Sequence, residues 1–168
     1  MGTIKIIPFG EVEAFNAVIE VPQGEMKKYA YDPELGSIKL TRVLYDGIKF
    51  PFNYGFVAGT ENHDGGHLDV FVISTHAITR GTVVVCRAIG VMEMEDQGKP
   101  DHKIIAVPNT ETRLANLKDI KDFEESEREK ISLFYRSAAE QWGLAIKLLG
   151  FADKAKAKKE LLRTLQFE

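Results

Sequence analysis

Short apolar runs separated by turn residues make up the chain as far as about residue 108. Runs of this length and spacing are typical of a small β-barrel or β-sandwich. The strands are predicted at residues 16–21, 29–31, 37–43, 68–73, 82–91 and 103–107. Proline, glycine and aspartate interrupt the chain between them, so we expect the loops to gather at the ends of a barrel.

The spacing of apolar residues changes beyond residue 122. They recur there at intervals of three and four, as on one face of a helix: Ile131, Phe134, Ala138 and Trp142. Leucines at positions 161, 162 and 165 predict a second helix. We therefore predict one domain over residues 1–168, mainly β and α+β overall, with a barrel at about 16–108 and helices at about 122–143 and 153–166.

The composition is that of an ordinary globular protein, because 44% of the residues are hydrophobic and 28% are charged. The net charge of −3 provides no global attraction for nucleic acid, so an anion must bind at a local cluster. Cys86 is the single cysteine, which excludes an intrachain disulfide and fits a reducing compartment. Residues 1–8 lack the apolar core of a secretory signal and no run is long enough for a membrane span, so we expect a cytoplasmic location and no membrane partner.

Carboxylates cluster in two loops of the predicted barrel. Asp64 and Asp69 flank a glycine turn at residues 65–66, just before an apolar strand. Carboxylate oxygens are the ligands that Mg²⁺ prefers, with water and phosphate completing the set. Asp96 and Asp101 bracket the second loop. Spacing alone leaves open that the first loop is only a turn and the second only a solvated hairpin.

Basic residues accompany these loops, just off the predicted strands: Lys27, Lys28, Arg42 and Lys103. Carboxylates interleaved with lysine and arginine are what a site needs to hold a divalent metal together with a polyanionic phosphate. The combination therefore favours a metal and phosphate site over two unrelated loops.

A specific resemblance follows from the order of seven segments along the chain. They are VIEVP (18–22), KY (28–29), KLTRVL (39–44), FPFNYGF (50–56), DGGHLDV (64–70), IGVMEM (89–94) and DHKIIAVP (101–108). In this order the chain resembles the soluble family I inorganic pyrophosphatases, well over residues 16–124 and loosely in the C-terminal helices.

The resemblance implies a five-stranded OB-like barrel that binds Mg²⁺ and pyrophosphate, or a related phosphoanhydride, at its mouth. It implies that metal-held water attacks one phosphorus and the other phosphate leaves. The implied metal ligands are Glu20, Asp64, Asp69, Asp96 and Asp101. The implied catalytic and substrate-binding residues are Lys28, Arg42, Tyr54 and Lys103. Family members of this length usually form hexamers, so a homo-oligomer is expected by resemblance alone.

The acidic loop departs from the family motif Asp-x-Asp-x-x-Asp. Gly66 replaces the middle carboxylate, which is the family's candidate general base, and His67 stands where proline is usual. His67 is a possible substitute base, because imidazole titrates near neutral pH, or else an exposed loop residue. His63 and His102 flank the acidic loops and could shift the metal preference towards Mn²⁺ or Zn²⁺, or they are surface residues.

Further departures from the family pattern fall at four positions: Ala30, Phe50, Ala138 and Ala139. Ala30 stands at an acidic position and Phe50 at a tyrosine. If Phe134 and Tyr135 align with the family's aromatic pair, the two alanines replace the Tyr-Lys pair that binds the leaving phosphate. Tyr135 and Arg136, one turn earlier, would substitute only if the helix shifted.

Three functions are consistent with these patterns. The first is Mg²⁺-dependent hydrolysis of pyrophosphate, with reduced activity or a shifted substrate, favoured by the five carboxylates. The second is a non-catalytic paralogue that binds metal and a phosphate ligand, favoured by the altered positions. The third is an OB-type oligonucleotide binder, and the net charge of −3 argues against nucleic acid as a partner.

Overall fold

The computed structural model describes residues 6–165. The strands are β1 (Gly10–Glu11), β2 (Ala14–Val21), β3 (Lys27–Asp32), β4 (Ser37–Val43), β5 (Asn53–Val57), β6 (Asp69–Val72), β7 (Val83–Asp96), β8 (Lys99–Pro100), β9 (Lys103–Pro108) and β10 (Ile146–Ala152). The helices are α1 (Glu125–Trp142) and α2 (Lys154–Thr164). Two short 3₁₀ turns, at Thr112–Leu114 and Ile120–Asp122, precede α1. The predicted helix end at residue 166 and most of the N-terminal stretch 1–8 lie outside the described residues.

Five strands close into a barrel in the order β2, β5, β6, β9, β7, with β7 pairing back onto β2. The β6–β9 pair is parallel and the other pairs in the ring are antiparallel. Closure removes the free edges at which strands of other chains could pair. The five-stranded barrel with two C-terminal helices confirms the predicted fold class.

Close packing between β2 and β5 depends on Gly55. A Cβ atom added at Gly55 would lie 1.8 Å from the carbonyl oxygen of Val18, on the neighbouring strand. All five residues of β5 are buried, so this strand lacks the alternation of apolar and polar residues that marks a half-exposed strand. Asn53 and Gly55, which are unfavourable residue types in strands, also interrupt its apolar residues, so the pattern at residues 53–57 did not predict a strand.

Helix α1 lies against one end of the barrel through its apolar face. Its buried residues are Ile131, Phe134, Tyr135 and Ala138. The helix ends at Gly143, which takes a left-handed conformation with φ of 66° and donates its N–H to the carbonyl of Ala139. Neither helix in the described range is both long and apolar enough to cross a membrane.

Strands β3 and β4 form a separate two-stranded hairpin beside the barrel. Lys28 and Arg42 are cross-strand partners in this hairpin. The register shifts just after this pair, and the Thr41 hydroxyl donates to the Lys28 carbonyl at 3.0 Å. The hairpin therefore presents two positive side chains next to each other at the side of the barrel.

Candidate active site

A small cavity of about 50 Å³ lies where the barrel, the β3–β4 hairpin and α1 meet. Five of the residues singled out from the sequence line it: Lys28, Tyr54, Asp96, Asp101 and Lys103. Aromatic side chains close its other side, among them Phe50, Phe134, Tyr135 and Trp142. The cavity therefore combines carboxylates and Lys103 on one side with an aromatic wall, against which Lys28 lies, on the other.

Lys103 lies at the centre of the charged side and is almost fully buried. Its Nζ donates to Oδ2 of Asp69 at 2.5 Å and to Oδ1 of Asp101 at 3.0 Å. Asp69 and Lys103 are brought together because they pair in register at the start of the parallel strands β6 and β9. Burial alone would lower the pKa of Lys103, but Asp69, Tyr135 and Asp101 hold it well above its ordinary value, so the ammonium stays charged.

The carboxylates around Lys103 act on one another electrostatically. Burial raises the pKa of Asp101; Lys103 opposes this shift, while the negative charges of Asp69 and Asp64 add to it. The Oδ1 atom of Asp96 is buried and has no hydrogen-bond partner among residues 6–165. Carboxylates that repel one another, or that lack a hydrogen-bond partner, are suited to binding a cation.

Glu20 lies on β2 and is buried. Its Oε2 accepts a hydrogen bond from the Tyr31 backbone N–H at 2.6 Å. Burial raises the pKa of Glu20 to about 7, and the charge of Asp69 adds to this rise. Glu20 therefore belongs to the same electrostatic group as Asp69, although it does not line the small cavity.

The donor chemistry of this group fits a hard divalent cation, since every predicted ligand is a carboxylate. Within residues 6–165, however, no three His, Cys, Asp or Glu side chains lie close enough together to form a ready metal cluster. Two of the carboxylates, Asp69 and Asp101, are instead paired with the Lys103 ammonium. A cation bound here would compete with Lys103 for these oxygens.

The two cations of the hairpin lie on the aromatic side. The Lys28 Nζ is 5.7 Å and the Arg42 Cζ is 5.2 Å from the centre of the Trp142 ring. Burial lowers the pKa of Lys28; Asp69 opposes this shift, while the positive charges of Lys103 and Arg42 add to it. The Arg42 side chain is exposed and extends the positive surface outward.

Tyr54 is buried between aromatic rings, 5.5 Å from Phe50 and 5.1 Å from Phe71. Burial and then the charge of Asp69 raise the pKa of Tyr54 well above its ordinary value. Its hydroxyl therefore keeps its proton at neutral pH and can donate a hydrogen bond into the cavity.

The acidic loop holds Asp64 by its own backbone. The Gly66 N–H donates to Asp64 Oδ1 at 2.9 Å. A Cβ atom at Gly66 would lie 3.3 Å from the same oxygen, so a side chain at this position would start next to the Asp64 carboxylate. Gly66 is not among the glycines with positive φ, so its backbone conformation is accessible to other residues.

His67 lies in a different groove, which has a volume of about 790 Å³ and is also lined by Tyr31 and Phe56. Its ring stacks on Phe56 at 4.5 Å, and its Nδ1 lies 2.9 Å from the Thr60 carbonyl oxygen. A carbonyl oxygen only accepts, so the His67 Nδ1 carries a proton.

The other two flanking histidines differ in their surroundings. The His102 Nδ1 accepts a hydrogen bond from the Met94 N–H at 3.2 Å, which places its proton on Nε2 and ties the end of β7 to the loop before β9. His63 is exposed in the acidic loop. Neither lines the small cavity.

Two of the altered positions, Phe50 and Ala138, pack in the aromatic core beside the cavity. The Phe50 ring lies 4.5 Å from Phe134, and Ala138 is fully buried in the same core. Tyr135 lines the cavity, with Lys103 Nζ 5.9 Å from its ring. Arg136 instead forms an ion pair with Glu129 and lines another groove. Of these two α1 residues, only Tyr135 therefore contributes to the cavity.

Arg80 is a contributor to the site that the sequence reasoning missed. Its Nε donates to the Glu20 carbonyl oxygen at 2.9 Å, and its guanidinium lies 3.5 Å from the centre of the Tyr29 ring. Arg80 thus ties β2 to β3 behind Glu20 and Lys28. It lies in an ordinary turn, Arg80-Gly81, and no motif in the sequence distinguishes it.

Comparison with known proteins places these features in a family. The family model described as Inorganic pyrophosphatase matches residues 17–167. The inorganic pyrophosphatase of Sulfolobus acidocaldarius is 40% identical over 152 residues, which is 89% of this chain and 88% of that protein. The inorganic pyrophosphatase of Thermus thermophilus is 38% identical over 166 residues, covering 96% and 95%.

Solved structures agree with the sequence comparison. The crystal structure of the Thermus thermophilus inorganic pyrophosphatase superposes with a TM-score of 0.90 at 37% identity, covering 98% of this chain and 97% of the other. The inorganic pyrophosphatase of Helicobacter pylori gives a TM-score of 0.89 at 32% identity, with the same coverage of 98% and 97%.

Proposed function

The chain belongs to the inorganic pyrophosphatase family, and we propose that it hydrolyses inorganic pyrophosphate to two phosphates with Mg²⁺ in the site around Lys103. The family relation makes it an inorganic diphosphatase. The observation that carries the proposed site is the buried Lys103 ammonium held between Asp69 and Asp101, beside the small cavity that Lys28 lines.

The residues that would hold the metal are the carboxylates Glu20, Asp64, Asp69, Asp96 and Asp101. Their mutual repulsion and the unpartnered Asp96 oxygen support this assignment. When bound, Mg²⁺ would supply positive charge for phosphate oxygens and lower the pKa of a coordinated water. The same oxygen donors accept Mn²⁺, and Zn²⁺ remains a further candidate.

The residues that would hold pyrophosphate are Lys28, Arg42, Lys103 and the Tyr54 hydroxyl. Phosphoryl transfer spreads negative charge over the phosphate oxygens, and fixed positive groups lower the barrier by stabilising that charge. Lys103 is suited to this task because its buried ammonium is already oriented by two carboxylates. Tyr54 adds a neutral donor that cannot ionise near pH 7.

The proposed enzyme works without a carboxylate at Gly66. A positioned general base contributes about 10² to 10⁴ in rate, so we propose turnover reduced by up to that factor. His67 stays a proposed substitute base, because its contact with the Thr60 carbonyl uses Nδ1 and not Nε2. The His67 ring stacks on Phe56 in the groove that Tyr31 also lines, which is a different groove from the small cavity. Gly66 is therefore the more informative position to change.

Asp101→Asn tests the site, because it keeps the shape of the side chain and removes the charge that pairs with Lys103. We expect phosphate release from pyrophosphate in Mg²⁺ to fall by about 10² or more. Asp46→Asn is the matched control, since Asp46 is exposed and does not line the cavity. Equal activity of the two variants would remove Asp101 from the proposed machinery.

The resemblance also leads us to propose a homo-oligomer, with a hexamer as the expected form. A cytoplasmic location stays a prediction from the single cysteine in a reducing compartment. Sedimentation of the purified protein would test the oligomeric state directly.

A further inference from the structure

The last turn of α1 is fastened to the end of the β3–β4 hairpin by side chains. The Gln141 amide makes two bonds to one residue: Oε1 accepts from the Tyr45 N–H at 2.9 Å, and Nε2 donates to the Tyr45 carbonyl at 2.9 Å. The Trp142 Nε1 donates to the Val43 carbonyl at 3.2 Å. These bonds join positions 96 to 99 residues apart, so they fix the helix end against the strand that carries Arg42.

The same contact places the Trp142 ring beside both hairpin cations. Lys28 and Arg42 are cross-strand neighbours of like charge, and their repulsion is one of the causes that lower the Lys28 pKa. Both approach the indole within cation–π distance, at 5.7 and 5.2 Å. The electron-rich ring therefore offsets the cost of holding two positive groups together when no anion is bound.

The small side chain of Ala138 on α1 leaves room for the Trp142 indole ring beside the hairpin cations. Ala138 lies four residues before Trp142 and so on the same helix face. Its methyl group is buried in the core, while the Trp142 ring reaches the cavity wall next to Lys28. The side of the cavity formed by α1 is therefore aromatic, and the cations that face it come from the hairpin.

We propose that Trp142 and Gln141 are positioning residues that hold Lys28 and Arg42 ready for a phosphate anion, and that the Trp142 ring is the partner these cations leave when the anion binds. The inference rests on the proposed function, because it assigns Lys28 and Arg42 to phosphate. Pre-organised cations improve the binding of substrate and transition state alike, so the effect belongs mainly in KM.

Kinetics of two variants test the positioning role. Trp142→Leu removes the ring face, and we expect KM for pyrophosphate to rise about 3- to 30-fold with little change in kcat. Trp142→Phe keeps a ring face but loses the bond to Val43, so its KM should lie between those of Trp142→Leu and the unmodified protein. Phe151→Leu is the control, because Phe151 is a partly buried aromatic of the same core that does not line the cavity.

Fluorescence provides a readout that does not need turnover. Trp142 is the single tryptophan of the chain, so the intrinsic tryptophan emission comes from this residue alone. Titration with inorganic phosphate, with and without Mg²⁺, should give a saturable change in emission in the unmodified protein and in Phe151→Leu. Gln141→Ala should require more phosphate for the same change.

The outcomes separate this inference from the proposed function. If the protein hydrolyses pyrophosphate but its tryptophan emission does not change on addition of phosphate or pyrophosphate, the positioning role alone is overturned. Folded Trp142→Leu protein with the KM of the unmodified chain does the same. Absence of turnover together with a saturable emission change supports the positioning of the cations and rejects hydrolysis.

Discussion

Glu20 shows how a single buried carboxylate couples the site to pH. Its pKa is about 7 in the folded protein, against an ordinary value of 4.5, because burial disfavours the charged form. A raised carboxyl pKa means that the folded state holds the proton more tightly than the unfolded state. The stability from protonated Glu20 is thus fully present below about pH 4.5 and is lost as the pH rises through about 7.

We therefore predict that metal-free protein loses up to roughly 3 kcal/mol of unfolding free energy from this group between pH 4.5 and 7. Urea unfolding at several pH values measures this loss. Glu20→Gln, which cannot ionise, should show a flatter dependence over the same range. Identical pH slopes for the two proteins would show that Glu20 does not titrate in this window.

Gly66 is the position where one added side chain should restore rate. Its φ is not in the left-handed region, and the three atoms nearest to an added Cβ belong to the exposed Asp64 side chain, the first at 3.3 Å. We predict that Gly66→Asp raises kcat for pyrophosphate by about 10-fold or more, because it returns a carboxylate to the place of the missing base. Steady-state kinetics at fixed Mg²⁺ measure the gain.

Gly66→Asn separates chemistry from shape, since it has nearly the same volume and no basic carboxylate. Equal gains from the two substitutions would mean that the added side chain acts by ordering the loop. No gain from Gly66→Asp would show that water activation in this protein does not depend on the position.

At the level of elements, the β2–β5 contact depends on the absence of a side chain at Gly55. We predict that Gly55→Ala costs about 1–3 kcal/mol of unfolding free energy or more, because its Cβ would lie 1.8 Å from the Val18 carbonyl oxygen. Urea unfolding measures the loss. Gly66→Ala is a matched control with a similar backbone requirement and no neighbouring strand. Equal unfolding free energies of the two variants would mean that β2 and β5 can move apart at little cost.

Strands with an uninterrupted apolar or alternating pattern were predictable whether exposed or buried, and interrupted or non-local ones were not. The half-exposed hairpin strand β4 occupies residues 37–43 and the fully buried β9 occupies residues 103–108, as their patterns predict. Strand β5 contains Asn53 and Gly55, residue types that are unfavourable in strands, so it carries no such pattern. Strand β10 lies between the two helices and pairs with β7, about 50 positions earlier, with a register shift at Leu148/Gly150. A pairing set by distant chain segments leaves little local signal.

In the site, too, the residue types could be predicted from the sequence, but the contacts between distant residues could not. Its residue types were visible as acidic loops with nearby lysines, and the resemblance supplied their order. The ion pair of Lys103 with Asp69 depends on the parallel register of two strands, which spacing along the chain does not specify. Trp142 was predictable as part of an apolar helix face, but its contact with Lys28 and Arg42 depends on how α1 meets the hairpin.

At the scale of the whole molecule, a closed barrel brings together charges that are distant in the sequence. Asp69 of β6 and Asp101 from the loop before β9 pair with the buried Lys103 ammonium. Asp96 at the end of β7 lines the cavity beside it, and the hairpin and α1 add Lys28 and an aromatic wall. Such an arrangement in metal-free protein stores unfavourable carboxylate charge that a divalent ion would relieve. We therefore expect hydrolysis of pyrophosphate to require a bound metal ion.

The most direct test of the proposed function is phosphate release from pyrophosphate by purified protein, first freed of metal with a chelator and then given Mg²⁺, Mn²⁺ or Zn²⁺ in turn. We expect release only after metal is restored, with two phosphates formed for each pyrophosphate consumed and Mg²⁺ sufficient for activity. Release that is unchanged in the chelator, or no release with any of the three metals, would contradict metal-dependent hydrolysis.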